Sequence, residues 1–242
     1  MDLNTSQTIG SFVANDYRTA TVFQKYGIDF CCKGGRTIEE VSQKKNISPD
    51  ALLNELNDAV KQSNGSSIDF RTWEPDLLAD YIERKHHRYV RQTIPALLQF
   101  LDKLCEVHGG NHPELFEIRA EFSASAEQLS LHMEKEEQVL FPFVRKMVAS
   151  KLNESTEAAS NIGEIQNPIE IMMQEHETEG DRFRKIAELS NNYATPADGC
   201  TTYRVAYALL KEFETDLHFH IHLENNILFP TALKMEKEFK SN

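Results

Sequence analysis

The 242-residue sequence lacks the marks of disulfide-stabilised, secreted and membrane-spanning proteins. It has four cysteines, of which only Cys31 and Cys32 are adjacent, so disulfide bonds are not expected to hold the fold together. The isolated Cys105 and Cys200 are predicted to be small buried hydrophobic residues. No apolar run is long enough to cross a bilayer, and the first residues do not resemble a secretory signal. We therefore expect a cytoplasmic protein with no membrane partner.

The sequence also lacks an excess of basic residues. Lys and Arg number 26 against 38 Asp and Glu, which gives a formal net charge of -12, and neither sign forms long blocks. A basic patch or stripe is what a nucleic-acid-binding surface requires. The composition therefore argues against DNA or RNA as a partner.

The alternation of residues typical of β-strands is scarce, whereas apolar residues recur at intervals of three and four. This periodicity predicts an all-α fold. Three signals mark helix starts: a capping box at residues 37–40, and a cap followed by proline at Ser48-Pro49 and at Asn167-Pro168.

A stretch of small polar residues between Gln62 and Trp73 breaks the helical periodicity and is typical of a linker. We predict a small helical domain at residues 1–62, a linker at 63–74 and a four-helix bundle at 75–242. The four long helices are predicted at 75–105, 113–149, 168–191 and 201–239, with Pro142 and Pro230 interrupting the second and fourth, and with a polar loop at 152–167 crossing between helix pairs.

One motif occurs twice, 88 residues apart. The segments LSLHMEKEEQVLFPFV and LHFHIHLENNILFPTA pair His132 with His220 and Glu136 with Glu224. Four residues advance a helix by about 400°, so the histidine and glutamate of each H-x-x-x-E lie on one face. The apolar stripes that contain them predict that this face points into the bundle core.

Two buried glutamates require compensation, because an ionised buried carboxylate costs on the order of several kcal/mol and each would raise the pKa of the other. The sequence therefore predicts a cation between Glu136 and Glu224. An ordinary hydrogen-bonded polar network is the alternative, which duplication of the pair disfavours. His218 and His222 lie nearly opposite His220 and are predicted to be solvated surface histidines.

The other two long helices supply further candidate ligands. His176 shares a stripe with Gly180, a residue that leaves room beside the imidazole. On the first helix both His86 and His87 fit the helical phase, and spacing favours His87 only weakly. Four imidazoles and two carboxylates suit iron or manganese better than zinc, calcium or magnesium. Two ions bridged by both glutamates and by an oxo or hydroxo group would each keep about one open position.

Five motifs follow one another along the chain: YGIDFCCKGGRTIEE, KHHRYVRQTIPAL, HMEKEEQVLFP, MMQEHE and HIHLENNILFP. With these motifs in this order, the chain resembles the iron-sulfur cluster repair di-iron proteins, the "repair of iron centers" family, which have a hemerythrin-like bundle. The resemblance covers almost the whole chain. In the family's first-helix motif the ligand precedes the proline by eight residues, which selects His87. The implied ligands are His87, His132, Glu136, His176, His220 and Glu224.

The resemblance implies a protein with two iron ions that restores iron-sulfur clusters damaged by nitric oxide or oxidants. Its partners would be the damaged iron-sulfur proteins, to which it would donate labile iron. Nitric oxide binding or reduction at the centre is also implied, and an open coordination position would permit it. The sequence does not decide whether nitric oxide is turned over, nor whether the chain forms a homodimer. The alternatives are a hemerythrin-like oxygen or nitric oxide sensor or carrier, and a metal-free helical interaction protein.

Cys31 and Cys32 carry the resemblance in the N-terminal domain, where Lys33, Gly34 and Gly35 follow them. Exposed backbone and a nearby cation would favour thiolates able to pass iron or to react with a nitrosyl group. A buried pair that lines a small helical core is the alternative. Glu175 is predicted to assist its neighbour His176 from outside the ligand set, although a solvated acid is the commoner fate of such a residue.

Overall fold

The all-α prediction is confirmed. A computed structural model describes residues 4–61, 68–152 and 164–241, and these ranges contain helices and no strand. Thr8 and Thr37 form a single isolated β-bridge. Within the same ranges no helix has both the length and the hydrophobicity needed to span a bilayer.

Four short helices build the N-terminal region, by which we mean residues 4–61. The predicted capping box is present at Thr37, whose hydroxyl accepts from the Glu40 N–H while the Glu40 carboxylate accepts from the Thr37 N–H. Ser48 Oγ accepts from the backbone N–H of Ala51 at 3.4 Å, as expected of a cap. The helices are α1 (Ile9–Asn15), α2 (Ala20–Lys25), α3 (Ile38–Lys45) and α4 (Pro49–Lys61).

Among the residues that the structure describes, four long helices form the bundle, and three of them contain a π-helical segment. The first consists of α5 (Pro75–Tyr81), a π-helical segment (Ile82–His87) and α6 (Arg88–His108); the second of α7 (Glu114–Lys135), a π-helical segment (Glu136–Leu140) and α8 (Phe141–Leu152); the third is α9 (Gln166–Leu189); and the fourth consists of α10 (Thr201–Leu223), a π-helical segment (Glu224–Leu228) and α11 (Phe229–Ser241). The third helix begins at Gln166, so Asn167 is not its cap. Residues 153–163 of the predicted crossing loop lie outside the described ranges.

Pro142 and Pro230 do not interrupt their helices, contrary to the prediction. Each lies at the second position after a π-helical segment that begins at a buried glutamate, Glu136 or Glu224. Proline lacks the N–H that an α-helix uses, and its ring crowds the carbonyl four residues earlier. That carbonyl lies within the wider π turn, which relieves the crowding and lets the helix continue.

A shared hydrophobic core joins the N-terminal region to the bundle. Phe12 and Phe23 belong to the same buried cluster as Phe122 and Phe213 of the bundle. A second cluster contains Phe70 from the predicted linker at 63–74. Residues 63–67 of that linker lie outside the described ranges. The two predicted units are therefore packed against each other over one continuous apolar surface.

His222 and His218 face the N-terminal region, so their predicted exposure to solvent is wrong. The His222 ring lies 6.0 Å from the Phe30 ring, and the His218 ring lies 6.2 Å from it. Burial lowers the pKa of His222 to about 3 and that of His218 to about 4, so both are neutral near pH 7. Helical phase shows which side of a helix is opposite the bundle core, but it does not show that another part of the chain covers that side.

The prediction of a buried Cys200 is also wrong. Cys200 is exposed and immediately precedes α10, and its Sγ lies 3.3 Å from His108 Nε2. This hydrogen bond is the main reason that the pKa of the thiol is lowered to about 7. Cys105 is half-buried, with its Sγ 3.4 Å from the Leu115 carbonyl oxygen.

Two glycines allow the N-terminal region to approach the fourth long helix closely. The Gly10 N–H donates to the Gly34 carbonyl oxygen at 2.8 Å. A Cβ atom would lie 2.2 Å from Asn226 Oδ1 if added to Gly10, and 2.4 Å from it if added to Gly34. Neighbouring Gly35 has no such contact within 4 Å. Only glycine fits this interface without displacing Asn226 or the chain.

We expect Gly34→Ala to destabilise the protein by about 1–3 kcal/mol, because its Cβ would overpack the interface with Asn226. Gly35→Ala is the matched control and should change the free energy of unfolding little. Urea unfolding of both variants measures the difference. Equal unfolding midpoints for the two variants would show that the close approach at Gly34 does not matter.

Candidate metal centre

The six predicted ligands meet in the interior of the bundle, and none is more than 2% exposed. Their ligand atoms form two groups that share Glu136 and Glu224, and within each group all of these atoms lie within 4.8 Å of one another. One group is completed by His87 and His220, and the other by His132 and His176.

Each pair of imidazoles combines one half of the sequence repeat with the other. His87 Nε2 lies 3.3 Å from His220 Nε2, and His132 Nε2 lies 3.0 Å from His176 Nε2. The repeat predicted His132 and His220 among these imidazoles but not this pairing. The pairing depends on which helices are neighbours, and the sequence pattern did not contain that information.

The two glutamates lack the hydrogen bonds that would satisfy them. Both oxygens of Glu136 and Oε2 of Glu224 have no hydrogen-bond partner among the described residues, although both side chains are fully buried. The Glu136 oxygens lie 3.3 Å from His87 Nε2 and 3.4 Å from His132 Nε2, without hydrogen-bond geometry. An ordinary polar network would satisfy these oxygens. The donor set fits a bound cation better.

The glutamates are nevertheless ionised. Burial and the charge of Glu224 raise the pKa of Glu136, but the nearby imidazoles outweigh them and hold it below its ordinary value. Burial alone would lower the pKa of His132, but the carboxylates of Glu136 and Glu175 outweigh it and raise this pKa to about 10. The pKa of His87 is also raised, so without a bound cation protons on His87 and His132 would balance the two carboxylates. A metal ion would replace those protons, so binding would release them.

His87 is oriented by a carboxylate on the second long helix. Its Nδ1 lies 2.7 Å from Glu137 Oε1, and Glu137 also accepts two hydrogen bonds from Arg91, at 2.8 and 2.9 Å. A proton on Nδ1 leaves the Nε2 lone pair available for a metal ion. Glu137 therefore sets both the tautomer and the orientation of the ring.

The structure places Glu175 against His132 and not against its sequence neighbour His176. Glu175 Oε2 lies 2.7 Å from His132 Nδ1, and the same carboxylate forms an ion pair with Lys135. The hydrogen bond to His132 is the main reason that the pKa of Glu175 is lowered to about 2. Glu175 thus has the geometry of an orienting carboxylate, while its functional role remains a prediction.

Asn225 orients the His176 ring in the same way. Its Oδ1 lies 2.8 Å from His176 Nδ1. Sequence reasoning missed both Asn225 and Glu137. These residues occupy equivalent positions in the two compared segments, directly after Glu136 and Glu224, but one is glutamate and the other asparagine, so the position did not belong to the shared motif.

His86 lies outside the ligand groups. Its Nδ1 lies 3.0 Å from Asp216 Oδ2, and its ring stacks on that of His220 at a centroid distance of 5.7 Å. Helical phase did not separate His86 from His87, because both side chains are buried: His86 is 1% exposed and His87 0%. The structure brings only His87 into the groups around the glutamates.

The cysteine pair lies where the N-terminal region meets α9. Cys31 is 3% exposed, and its hydrogen bond with Cys32, together with burial, raises the pKa of its thiol. Lys33, expected to favour a thiolate, is ion-paired with Glu177 at 3.0 Å. The buried alternative therefore describes Cys31, whereas Cys32 is half-buried. With Asp29 the two cysteines form a third group of ligand atoms within 4.8 Å of one another.

Comparisons with known families agree with this architecture. Residues 78–232 match the hemerythrin HHE cation binding domain, and residues 5–60 match a family described as a domain of unknown function (DUF542). Two relatives, each named iron-sulfur cluster repair protein YtfE, come from Yersinia pseudotuberculosis serotype O:1b (strain IP 31758) and Yersinia pestis (strain Pestoides F). Each is 33% identical to this chain over 231 residues, which is 96% of this chain and 98% of the relative.

We expect Glu136→Ala and Glu224→Ala each to lose most of the bound metal, because each carboxylate belongs to both ligand groups. Glu134→Ala, an exposed position on the same helix, is the matched control and should keep the wild-type content. Elemental analysis after anaerobic purification measures the metal per chain. Wild-type metal content in Glu224→Ala would exclude the shared site.

Proposed function

Because the chain belongs to the family of iron-sulfur cluster repair proteins with a hemerythrin HHE domain, we propose that it repairs iron-sulfur clusters damaged by nitrosative or oxidative stress. Its clients would be the damaged iron-sulfur proteins, in the cytoplasm. The observation that carries the proposal is the pair of ligand groups that share two buried glutamates. The proposed cofactor is two iron ions with a bridging oxo or hydroxo group.

The donor set supports iron as the metal. The two groups offer imidazole nitrogen and carboxylate oxygen and contain no thiolate. Structural zinc sites usually include cysteine, and calcium and magnesium sites consist mainly of oxygen. Mixed imidazole and carboxylate ligation suits iron. Bound iron would supply both the metal for damaged clusters and an open coordination position for nitric oxide.

The surroundings of the ligands support release of iron without loss of the fold. The imidazoles and carboxylates lie in contact with one another, for example His220 Nε2 at 2.9 Å from Glu224 Oε1. Protons on His87 and His132, whose pKa values the neighbouring carboxylates raise, can balance the two carboxylates once iron has left. Arg91 and Lys135, each about half exposed, neutralise the orienting carboxylates Glu137 and Glu175 from the bundle surface. The emptied site would therefore not leave unpaired buried charge, which is strongly destabilising.

The third group, formed by Asp29, Cys31 and Cys32, supports a route for iron toward the protein surface. Cys32 Sγ lies 3.3 Å from the carbonyl oxygen of His176, so the thiol pair contacts the helix that carries a ligand. The hydrogen bond to Cys32 and burial raise the pKa of the Cys31 thiol, but a coordinating iron ion would displace thiol protons, so the two sulfurs and the carboxylate could bind iron transiently. We assign this transfer role to Cys31 and Cys32.

The repair assay tests the proposal directly. The ferrous protein, incubated anaerobically with a cluster enzyme inactivated by nitric oxide, should restore activity to that enzyme, whereas Glu136→Ala should not. Recovery is measured as enzyme activity against time, with free ferrous iron at the same concentration as the control. Absence of recovery together with reversible binding of oxygen or nitric oxide would identify a sensor or carrier instead.

Replacing the cysteine pair separates iron binding from transfer. The double variant Cys31→Ser/Cys32→Ser should keep the iron absorption spectrum, because neither thiol belongs to the two buried ligand groups, but it should restore client activity more slowly. Cys105→Ser/Cys200→Ser is the control and should repair at the wild-type rate. Unchanged repair by the Cys31/Cys32 variant would remove the transfer role assigned to the pair.

A further inference from the structure

Asn225 differs in chemistry from its counterpart in the other half of the repeat. At that counterpart, Glu137 accepts from His87 Nδ1 and is neutralised by Arg91 from solvent. Asn225 accepts in the same way from His176, at 2.8 Å, but its other polar atom does not face solvent. Asn225 Nδ2 donates to the Cys31 carbonyl oxygen at 3.3 Å. A carboxylate cannot make that second bond, because it has no proton to donate.

The carbonyl that Asn225 holds belongs to the cysteine loop, by which we mean residues 29–35. Neighbouring Asn226 also donates to the Cys31 carbonyl oxygen, at 3.2 Å, and packs against Gly34 of this loop. The position of the loop on the fourth long helix therefore determines whether Asn225 keeps both of its partners. Two hydrogen bonds of Asn225 therefore connect the N-terminal region to the His176 ring.

A second contact joins the same loop to the same ligand. Cys32 Sγ donates to the His176 carbonyl oxygen at 3.3 Å and lies 3.1 Å from where a Cβ on Gly180 would be. The room at Gly180, which the sequence suggested for the imidazole, is thus used by Cys32.

We propose that Asn225 is a positioning residue that makes metal retention at the His132–His176 position depend on docking of the cysteine loop. While the loop is docked, Asn225 holds the His176 ring with its Nε2 toward the ligand group. When the loop is displaced, Asn225 loses its anchor, the ring loses its fixed orientation, and this metal position becomes the more labile of the two. The inference rests on the proposed function in two respects only: it takes iron as the bound metal, and it takes the release of iron as useful.

The test measures iron release without any client. Wild-type protein, Asn225→Leu, Gly34→Ala and the double variant are loaded anaerobically with ferrous iron, and transfer to a colorimetric chelator is followed with time. Asn225→Leu should release one of the two ions about 10–100-fold faster, the usual effect of losing an outer partner of a metal ligand. Gly34→Ala should accelerate the same phase. The double variant should be no faster than Asn225→Leu, because both changes break one chain of contacts.

Two controls separate positioning from general loss of structure. Gly35→Ala, in open space, should release iron at the wild-type rate. Asn225→Asp keeps an acceptor for His176 Nδ1 but cannot donate to the Cys31 carbonyl. It should therefore release iron faster than the wild type but more slowly than Asn225→Leu, and adding Gly34→Ala should not accelerate it further, because the contact with the loop is already lost. If Asn225 had only a structural role, Asn225→Asp would release iron as fast as Asn225→Leu.

Three results would overturn the inference: wild-type release from Asn225→Leu, wild-type release from Gly34→Ala, or accelerations that multiply in the double variant. Circular dichroism and the urea midpoint establish that each variant is folded before release is measured. Because no client is present, a failure of cluster repair leaves this measurement unaffected, and a failure here leaves the repair assay unaffected.

Discussion

The arrangement depends on two carboxylates held in the dry interior of the bundle. Glu136 and Glu224 are fully buried, and three of their four oxygens have no hydrogen-bond partner among the described residues. A protein that isolates negative charge in this way must place positive charge between or beside the carboxylates. Four imidazoles surround the carboxylates from four different helices, in two groups that both contain the glutamates. The proposed metal ions would supply the positive charge, and the proposed iron chemistry depends on them.

The backbone departs from α-helical geometry at the same candidate metal centre. Each glutamate begins a π-helical segment, and His87 ends another, so the departures from α-helical geometry coincide with the proposed ligands. The segment after Glu224 also carries Asn225, which connects the centre to the Cys31 carbonyl. The N-terminal region therefore belongs to the surroundings of the metal centre. Both sequence-defined units therefore contribute residues around one candidate site.

Much of this could be predicted from sequence because helices repeat regularly. Periodicity predicted the bundle, and a motif that occurs twice identified His132, Glu136 and their counterparts. The rest depended on information that periodicity does not contain. Helical phase gives the direction of a side chain from its own axis, so it did not show that the N-terminal region covers His222 or that Cys200 meets His108. It also did not show which imidazoles pair, because this depends on the packing of the four helices.

Mössbauer spectroscopy with iron quantitation on anaerobically purified protein tests the central claim most directly. The account predicts about two iron ions per chain, in environments of nitrogen and oxygen ligands, coupled through the shared carboxylates. It is contradicted if the chain holds less than about one iron, or if the iron is bound by sulfur, since the two glutamates would then be buried for another reason.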